Sequence, residues 1–320
     1  MELNIRECCE VLRKMEDIVI LCHRNPDGDT LGSGFALHYI LAQLGKRSRV
    51  ECHDPIPAQY SYLLLDYKEE DFEPKAIVAV DIADEKLFGS NLEKYCGKVD
   101  LCIDHHGSNK LYAKNWIVWD TAAATCEIME DICYGFEEVK LTKIIADCIY
   151  TGISTDTGCF RYSNTTDKTH AAAGRMFLAG CDFVMINRAM FEVKSFSRIA
   201  IEREVLNTIE FHFDNRCALG YITQDMLKRT GAIEAELEGV AAMPREIEGV
   251  EIGLTLRQRD NGYKISVRTG EEVDASEICA KLGGGGHRCA AGCFVEGELD
   301  HAKEVIIGVV GEVLKKENCQ

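Results

Sequence analysis

The chain has 320 residues, and 53 Asp plus Glu outweigh 36 Lys plus Arg to leave a formal net charge of -17. That length points to two domains at roughly 100 to 200 residues each, with enough apolar surface to fold without disulfide or metal staples. The acid excess excludes a protein that coats long DNA or RNA, because such binding draws on cationic neutralisation of phosphates. A composition of 46% hydrophobic and 28% charged residues excludes disorder and fibrous repeats.

Apolar runs of strand length alternate with helix-period segments from the start, the pattern of a parallel sheet with helices on both faces. Strands are predicted at Ile18 to Cys22, Arg49 to Cys52, Ala76 to Ala83, Val99 to Ile103 and Trp116 to Trp119. Helices are predicted at Leu31 to Leu44, Ala122 to Ile132, Thr142 to Tyr150 and Asp167 to Ala179. This α/β unit is expected to span 1–182. Residues 183–212 are charged, helical in period and free of Pro and Gly, so they are expected to form a helical connector. A smaller mixed α/β unit, 213–320, follows. Its strands are predicted at Cys217 to Ile222, Val250 to Gln258, Tyr263 to Arg268 and Cys293 to Val295. Asp260-Asn261-Gly262 closes a hairpin and a final helix covers His301 to Lys316.

The 16 cysteines are scattered. Cys22 and Cys102 lie inside apolar runs and no Cys-x-x-Cys spacing occurs, so they are expected to be reduced, in a cytoplasmic protein. Residues 1–23 place acidic groups before a short apolar run, unlike an export signal. No stretch approaches the roughly 18 apolar residues of a membrane span.

Four clusters of acids and histidines fall where an open parallel sheet presents its ligand crevice. His23-Arg24-Asn25-Pro26-Asp27-Gly28-Asp29 follows the first strand, and Asp81 ends the third. Asp104-His105-His106 ends the fourth, and Asp156 lies within Gly152-Ile153-Ser154-Thr155-Asp156-Thr157-Gly158. Carboxylates and imidazoles without thiolates suit a hard or borderline ion such as Mn2+ or Mg2+. So many ligands suit two ions about 3.5 to 4 Å apart, an arrangement that activates water and neutralises a phosphoryl group. Taken singly, the first cluster reads equally as a capped surface turn, Asp81 as a helix cap and Asp156 as a loop residue. Their joint placement favours the metal pair. His38, His53, His170, His212 and His301 read as ordinary packed or surface residues. His287, Cys289 and Cys293 lack a fourth zinc ligand.

In the second unit, Gly283-Gly284-Gly285-Gly286-His287 lets backbone amides approach an anion, with His287 as an added donor. It is neither a Walker loop nor a dinucleotide-fold glycine pattern. Arg268 shares a strand face with Ser266, away from the core. Base-stacking aromatics, with Tyr263 and Phe294 as candidates, cannot be assigned from spacing.

These motifs, in this order, resemble the DHH phosphoesterases, named for the triad that stands here as Asp104-His105-His106. Ser266 to Thr269, the Gly283–His287 run and Ala290-Ala291-Gly292 resemble the DHHA1 substrate domain. The two-domain layout looks like the group that degrades very short RNA and dephosphorylates adenosine 3',5'-bisphosphate. The resemblance implies that His23, Asp27 and Asp81 hold one Mn2+ and that Asp29, Asp81, His105 and Asp156 hold the other, Asp81 bridging. It implies His106 as a substrate-contacting catalytic residue, oriented by Asp104, and Arg268, Gly284, Gly285, Gly286 and His287 as the grip on the nucleotide. It implies short RNA or small-nucleotide substrates, no membrane partner and a homodimer. Signalling dinucleotides such as c-di-AMP, pApA or pGpG, and polyphosphate or pyrophosphate, are the rival substrates.

Overall fold

The computed structural model describes residues 1–237, 239–270 and 272–317. Two compact units are present, Met1–Val193 and a second from Lys194 onward.

The first unit contains α1 (Ile5–Lys14), β1 (Ile18–Leu21), α2 (Gly28–Gln43), β2 (Ser48–Glu51), β3 (Ala76–Val80), β4 (Leu101–Asp104), β5 (Asn115–Val118), α3 (Thr125–Tyr134), α4 (Lys143–Asp156), α5 (Asp167–Leu178) and α6 (Phe183–Asn187). The five strands form a parallel sheet in the order β2-β1-β3-β4-β5. Alternation along the buried strands splits the core in two. Ile18, Ile20, Val78, Val80, Leu101 and Ile103 face the α-helices. Val19, Leu21, Ile77, Ala79 and Cys102 face short 3-10 turns at Glu85–Leu87 and Glu93–Tyr95. A strand buried on both faces must be apolar throughout, which is why these runs are so legible.

The helix α4 is longer than its apolar period suggests and carries Asp156 as its last residue. It crosses α2 at glycines. A Cβ on Gly152 would lie 2.3 Å from Cys126 Sγ and 2.4 Å from Asp29 Oδ1. Gly152→Ala is therefore expected to cost on the order of 2 kcal/mol, read as a lowered urea midpoint, and to push Asp29 off its position. An unchanged midpoint would mean that the helices do not approach this closely.

The second unit contains α7 (Phe196–Leu206), β6 (Glu210–His212), β7 (Cys217–Ile222), α8 (Gln224–Thr230), β8 (Ile252–Arg259), β9 (Gly262–Thr269), α9 (Ala275–Ala280), β10 (Gly285–His287), β11 (Ala290–Glu296) and α10 (Leu299–Glu317). Its mixed sheet runs β10-β11-β9-β8-β7-β6, with β7 and β8 parallel and the other pairs antiparallel. Ile252, Leu254, Leu256, Ile265 and Val267 pack on one face with Ala302, Ile306 and Val310 of α10. The hairpin at Asp260-Asn261-Gly262 forms as its turn residues require, pairing Arg259 with Gly262.

The stretch expected as a separate connector is shared between the units. Phe183 of α6 packs on Tyr150, 6.5 Å between ring centroids, and stays with the first unit. Ile201 and Val205 of α7 join Ile222 and Met226 in the core of the second. Lys194 and Arg198 pair with Glu202. Among the described residues every cysteine is free, and no helix is long and apolar enough to cross a membrane.

Candidate metal centre

The carboxyl ends of β1, β3 and β4, the first turn of α3 and the last turn of α4 deliver their polar side chains to one place. The loop after β1 turns at Asn25, whose φ is 53°, and enters α2 through Asp27, whose carboxylate accepts from the amides of Asp29 and Thr30. Asp27 thus caps the helix, as a bland reading of the turn suggests, and also faces His23, with Nε2 3.5 Å from Oδ1.

Asp81 sits at the centre. It follows β3 in the left-handed backbone region, φ 58°, which Asp tolerates better than most residues, and its amide donates to Ile103 O at 2.9 Å. The two carboxylate oxygens face different histidines. Oδ2 is 3.6 Å from His23 Nε2, and Oδ1 is 3.6 Å from His105 Nε2. Oδ1 also accepts from the buried Thr125 hydroxyl at 2.9 Å. His105 Nε2 lies 3.2 Å from Asp156 and 3.9 Å from Asp29. Three overlapping groups are spaced to hold a cation: His23, Asp27 and Asp81; Asp29, His105 and Asp156; and Asp81, His105 and His106. The six residues expected as ligands are all brought together.

Histidine tautomers test whether cations fit. His105 Nδ1 lies 3.2 Å from Ala122 O, and His23 Nδ1 lies 2.9 Å from Arg24 O. A carbonyl only accepts, so each Nδ1 carries a hydrogen and each Nε2 is turned toward carboxylates, where it holds either a proton or a cation. His105 Nε2 is buried with no hydrogen-bond partner. A bare Nε2 facing anions is repulsive, so a positive charge, a proton or a metal cation, must stand between them, and metal-ligating histidines characteristically give their other nitrogen to a carbonyl or carboxylate. The residues present fit divalent cations.

The proton affinities report the same crowding. Burial pushes Asp81 well above the usual carboxylate range, and nearby Asp29 adds to it. Burial, then Asp29, pushes Asp156 up to about 7. Burial opposes the charged form of both histidines, yet the carboxylates prevail. His23 is pushed up to about 11 by Asp27 and Asp81, and His105 up to about 10 by Asp156, Asp29 and Asp81. One imidazolium facing three carboxylates gains strongly from its charge but cannot relieve all three.

Asp104 is fully buried beside this focus, one imidazole removed from Asp81, whose Oδ1 lies 3.6 Å from His106 Nδ1. Asp104 Oδ1 accepts from the amide of His105 and from Nδ1 of His106, both at 2.8 Å, and its Oδ2 accepts from Asn109 Nδ2 at 2.6 Å. Burial raises its affinity for a proton, but His106 and Asn109 hold it below the usual carboxylate range. His106 is therefore fixed through Nδ1, with Nε2 as its second nitrogen and 44% of its side chain exposed.

Three supporting residues escaped sequence reasoning. Asn109 holds Asp104, Thr125 anchors Asp81, and Thr30 receives the amide of His23 and donates to Val80 O. Thr125 follows Ala122-Ala123-Ala124 and looks like a helix start; nothing local marks its contact with Asp81. Asp29 has a second role that spacing hides. Its oxygens accept from Thr125 N at 2.6 Å and Cys126 N at 3.0 Å, capping α3 from another helix.

In the second unit, Arg268 projects from β9 on the face opposite the core, as its alternation predicts. The glycine run departs from a free anion cradle. The amides of Gly283 and Gly284 donate to Ala280 O and Cys279 O, ending α9, while Gly285, Gly286 and His287 form the edge strand β10. Close approach, not anion binding, requires the absent side chains: a Cβ on Gly284 would lie 2.2 Å from Gly292 O. His287 is exposed, and His287, Cys289 and Cys293 form no ligand cluster among the described residues.

Comparison with known proteins agrees with this architecture. A model described as the DHH family, N-terminal domain, matches residues 17–153, and one described as the DHHA1 domain matches residues 219–314. The chain is 33% identical to the bifunctional oligoribonuclease and PAP phosphatase NrnA of Thermus thermophilus, over 98% of this chain and 95% of that protein. It is 26% identical to the protein of the same description from Mycoplasma genitalium, over 98% of each. The crystal structure of an exopolyphosphatase-related protein from Bacteroides fragilis superposes with a TM-score of 0.82 at 25% identity, covering 98% of this chain and 95% of that one. With both domains matched and a relative aligned over nearly the whole length, the chain belongs to the DHH/DHHA1 family of phosphoesterases, metal-dependent hydrolases.

Proposed function

We propose that the protein hydrolyses very short oligoribonucleotides to mononucleotides and removes the 3'-phosphate of adenosine 3',5'-bisphosphate. The observation that carries this reading is the placement of two histidine Nε2 atoms on opposite oxygens of one buried carboxylate, Asp81. The relatives' oligoribonuclease and PAP phosphatase descriptions supply the substrate class. Two divalent cations, Mn2+ with Mg2+ as the alternative, would supply Lewis acidity and an activated water for in-line displacement at phosphorus when bound. His23, Asp27 and Asp81 would hold one; Asp29, Asp81, His105 and Asp156 the other.

The chain's own groups then divide the work. His106, held through Nδ1 by Asp104, offers Nε2 to the phosphoryl oxygens or the leaving group. Thr125 and Thr30 keep Asp81 and His23 in place. Arg268 and His287 receive the nucleotide and its far phosphate beside the edge-strand backbone of Gly285 and Gly286, while Gly284, its amide spent on Cys279 O, allows the close approach to Gly292. Short substrates follow from the charge of -17, which leaves local cations as the only attraction for phosphates. The free thiols suit a reducing cytoplasm, and we assign a homodimer, checked by light scattering.

The deciding experiment incubates the protein and Mn2+ with a diribonucleotide, adenosine 3',5'-bisphosphate, c-di-AMP and tripolyphosphate. Turnover of the first two supports the reading; turnover of tripolyphosphate alone overturns it. Cation uptake should also release protons, since Asp156 is pushed up to about 7 and His105 up to about 10. Protons and cations compete for the same atoms, so affinity rises with pH. Calorimetric titrations at pH 6 and pH 8, in buffers of different ionisation enthalpy, should show tighter binding at the higher pH and a buffer-dependent heat. Identical heats in all buffers would mean that neither Asp156 nor His105 gives up a proton on cation uptake, against the crowding that raises both.

A further inference from the structure

The outward face of the second sheet, away from α10, carries a row of side chains that the proposed reading leaves unused. Strand register sets it. Arg257 of β8 lies opposite Lys264 of β9, and Lys264 lies opposite Phe294 of β11. Directly opposed residues share a sheet face, so these three stand side by side. The next row on the same face is Thr255, Ser266 and Gly292, and the row beyond holds Gly253, Arg268 and Ala290; Thr255 is buried against Ala241 and Gly253 against Arg245, so the open part of these rows lies on β9 and β11.

Three physical features of this surface point to one ligand chemistry. Phe294 is 39% exposed, its ring leaning toward Gly262, whereas Tyr263, the other aromatic candidate, is 4% exposed in the core. An exposed aromatic ring beside a cation is the pairing that single-stranded nucleic acids use, the base stacking on the ring and the phosphate meeting the charge. Lys264 directly faces Arg257, whose charge Glu234 already balances. Glu234 pairs with Arg257 and Arg259 but not with Lys264, which has no ion pair among the described residues. Finally, Ser266 and Gly292 form a low floor, since a Cβ on Gly292 would meet only Ile265 O at 3.4 Å. A pocket of about 250 Å³ opens beside them, lined by Glu234, Leu237, Thr255, Arg257, Lys264 and Ser266, with Glu234 engaged by Arg257.

We infer that Phe294, Lys264 and Ser266 form a second nucleotide subsite, on the same sheet face as Arg268, that takes the base and phosphate of a further residue of an oligoribonucleotide. Lys264 and Arg268 are four residues apart on one strand, about 13 Å, and the low floor lies between them. This deepens the proposed function and rests on it: the subsite would make affinity rise with each added nucleotide until the row is filled.

The test is fluorescence anisotropy with labelled AMP and a labelled RNA trinucleotide, using the full chain without added divalent cation so that the RNA stays intact. The wild-type protein should bind the trinucleotide more tightly than AMP. Phe294→Ala should reduce that ratio about tenfold, as should Lys264→Ala. A ratio unchanged in both variants overturns the subsite, as does equal weakening of AMP and trinucleotide or no trinucleotide binding by wild type. Because Phe294 and Lys264 are exposed, loss of fold in one variant leaves the other as the readout. If the ratio falls as expected but the substrate panel shows no cleavage of RNA, the proposed hydrolysis fails and the subsite stands.

Discussion

Asp81→Asn is expected to lower kcat by about a thousandfold or more while the protein keeps its fold. The substitution isolates charge from shape. Asp81 occupies the left-handed region at φ 58°, which Asn adopts as readily as Asp, whereas Ala would add backbone strain. Asn retains an oxygen to accept the Thr125 hydroxyl, so the buried contact with α3 persists. What disappears is the negative charge between His23 and His105. An amide offers one weak oxygen and one nitrogen donor, and the donor would face a histidine without serving as a ligand. Removing the shared carboxylate weakens both ligand sets at once, so calorimetry should show fewer Mn2+ ions bound as well as lost turnover. Loss of turnover with two ions still bound would leave Asp81 a positioning residue, and unchanged turnover would remove the bridging role.

Residue type and spacing made the strands of the first unit legible because burial on both faces leaves no room for polar residues. The ends of those strands then located His23, Asp81 and Asp104 without further information. Helix limits were harder. The predicted end of α4 falls at Tyr150, whereas the helix continues to Asp156. Its last turn carries Thr and Asp where an apolar period would be expected, because that turn faces the polar centre. The short elements β6, β10, α8 and α9 carry too few residues to show a period, and their existence depends on tertiary pairing. The glycine run illustrates a different limit. Four glycines are compatible with an anion cradle and with close strand packing, and only the partners of Gly283 and Gly284 distinguish the two. Phe294 and Tyr263 were equal candidates until strand register placed one outward and one in the core. Contacts between distant segments, such as Asn109 with Asp104 or Asp29 with α3, leave no local trace.

Two carboxylates beside the same histidine should respond oppositely to removal, and the comparison separates structural from chemical roles. Asp29 caps α3, whose own capping position is Ala124 and supplies no side-chain acceptor. Asp29→Ala leaves two buried amides without acceptors and removes a negative charge from a helix N-terminus, a cost on the order of 3 kcal/mol. For a unit of this size that lowers Tm by roughly 10 °C. Losing Asp29 also relieves crowding on Asp81 and Asp156, but those groups already lessen that cost by retaining protons, whereas the amides have no alternative partner. Asp156 differs, because among the described residues its carboxylate pairs only with His105, while Asp29 crowds it. Its affinity for a proton is raised by folding, up to about 7. The folded state therefore binds that proton more tightly than the unfolded chain, and metal-free stability falls as pH rises from about 4 toward 7. Asp156→Asn removes this slope, so above pH 7 the metal-free variant should melt at or above the wild-type temperature despite losing a ligand. Thermal melts in EDTA across pH 5 to 8 check both expectations. If Asp156→Asn fell as far as Asp29→Ala, the carboxylate crowding inferred around His105 would be wrong; if neither variant moved, Asp29 would not be the cap that holds α3 at the site.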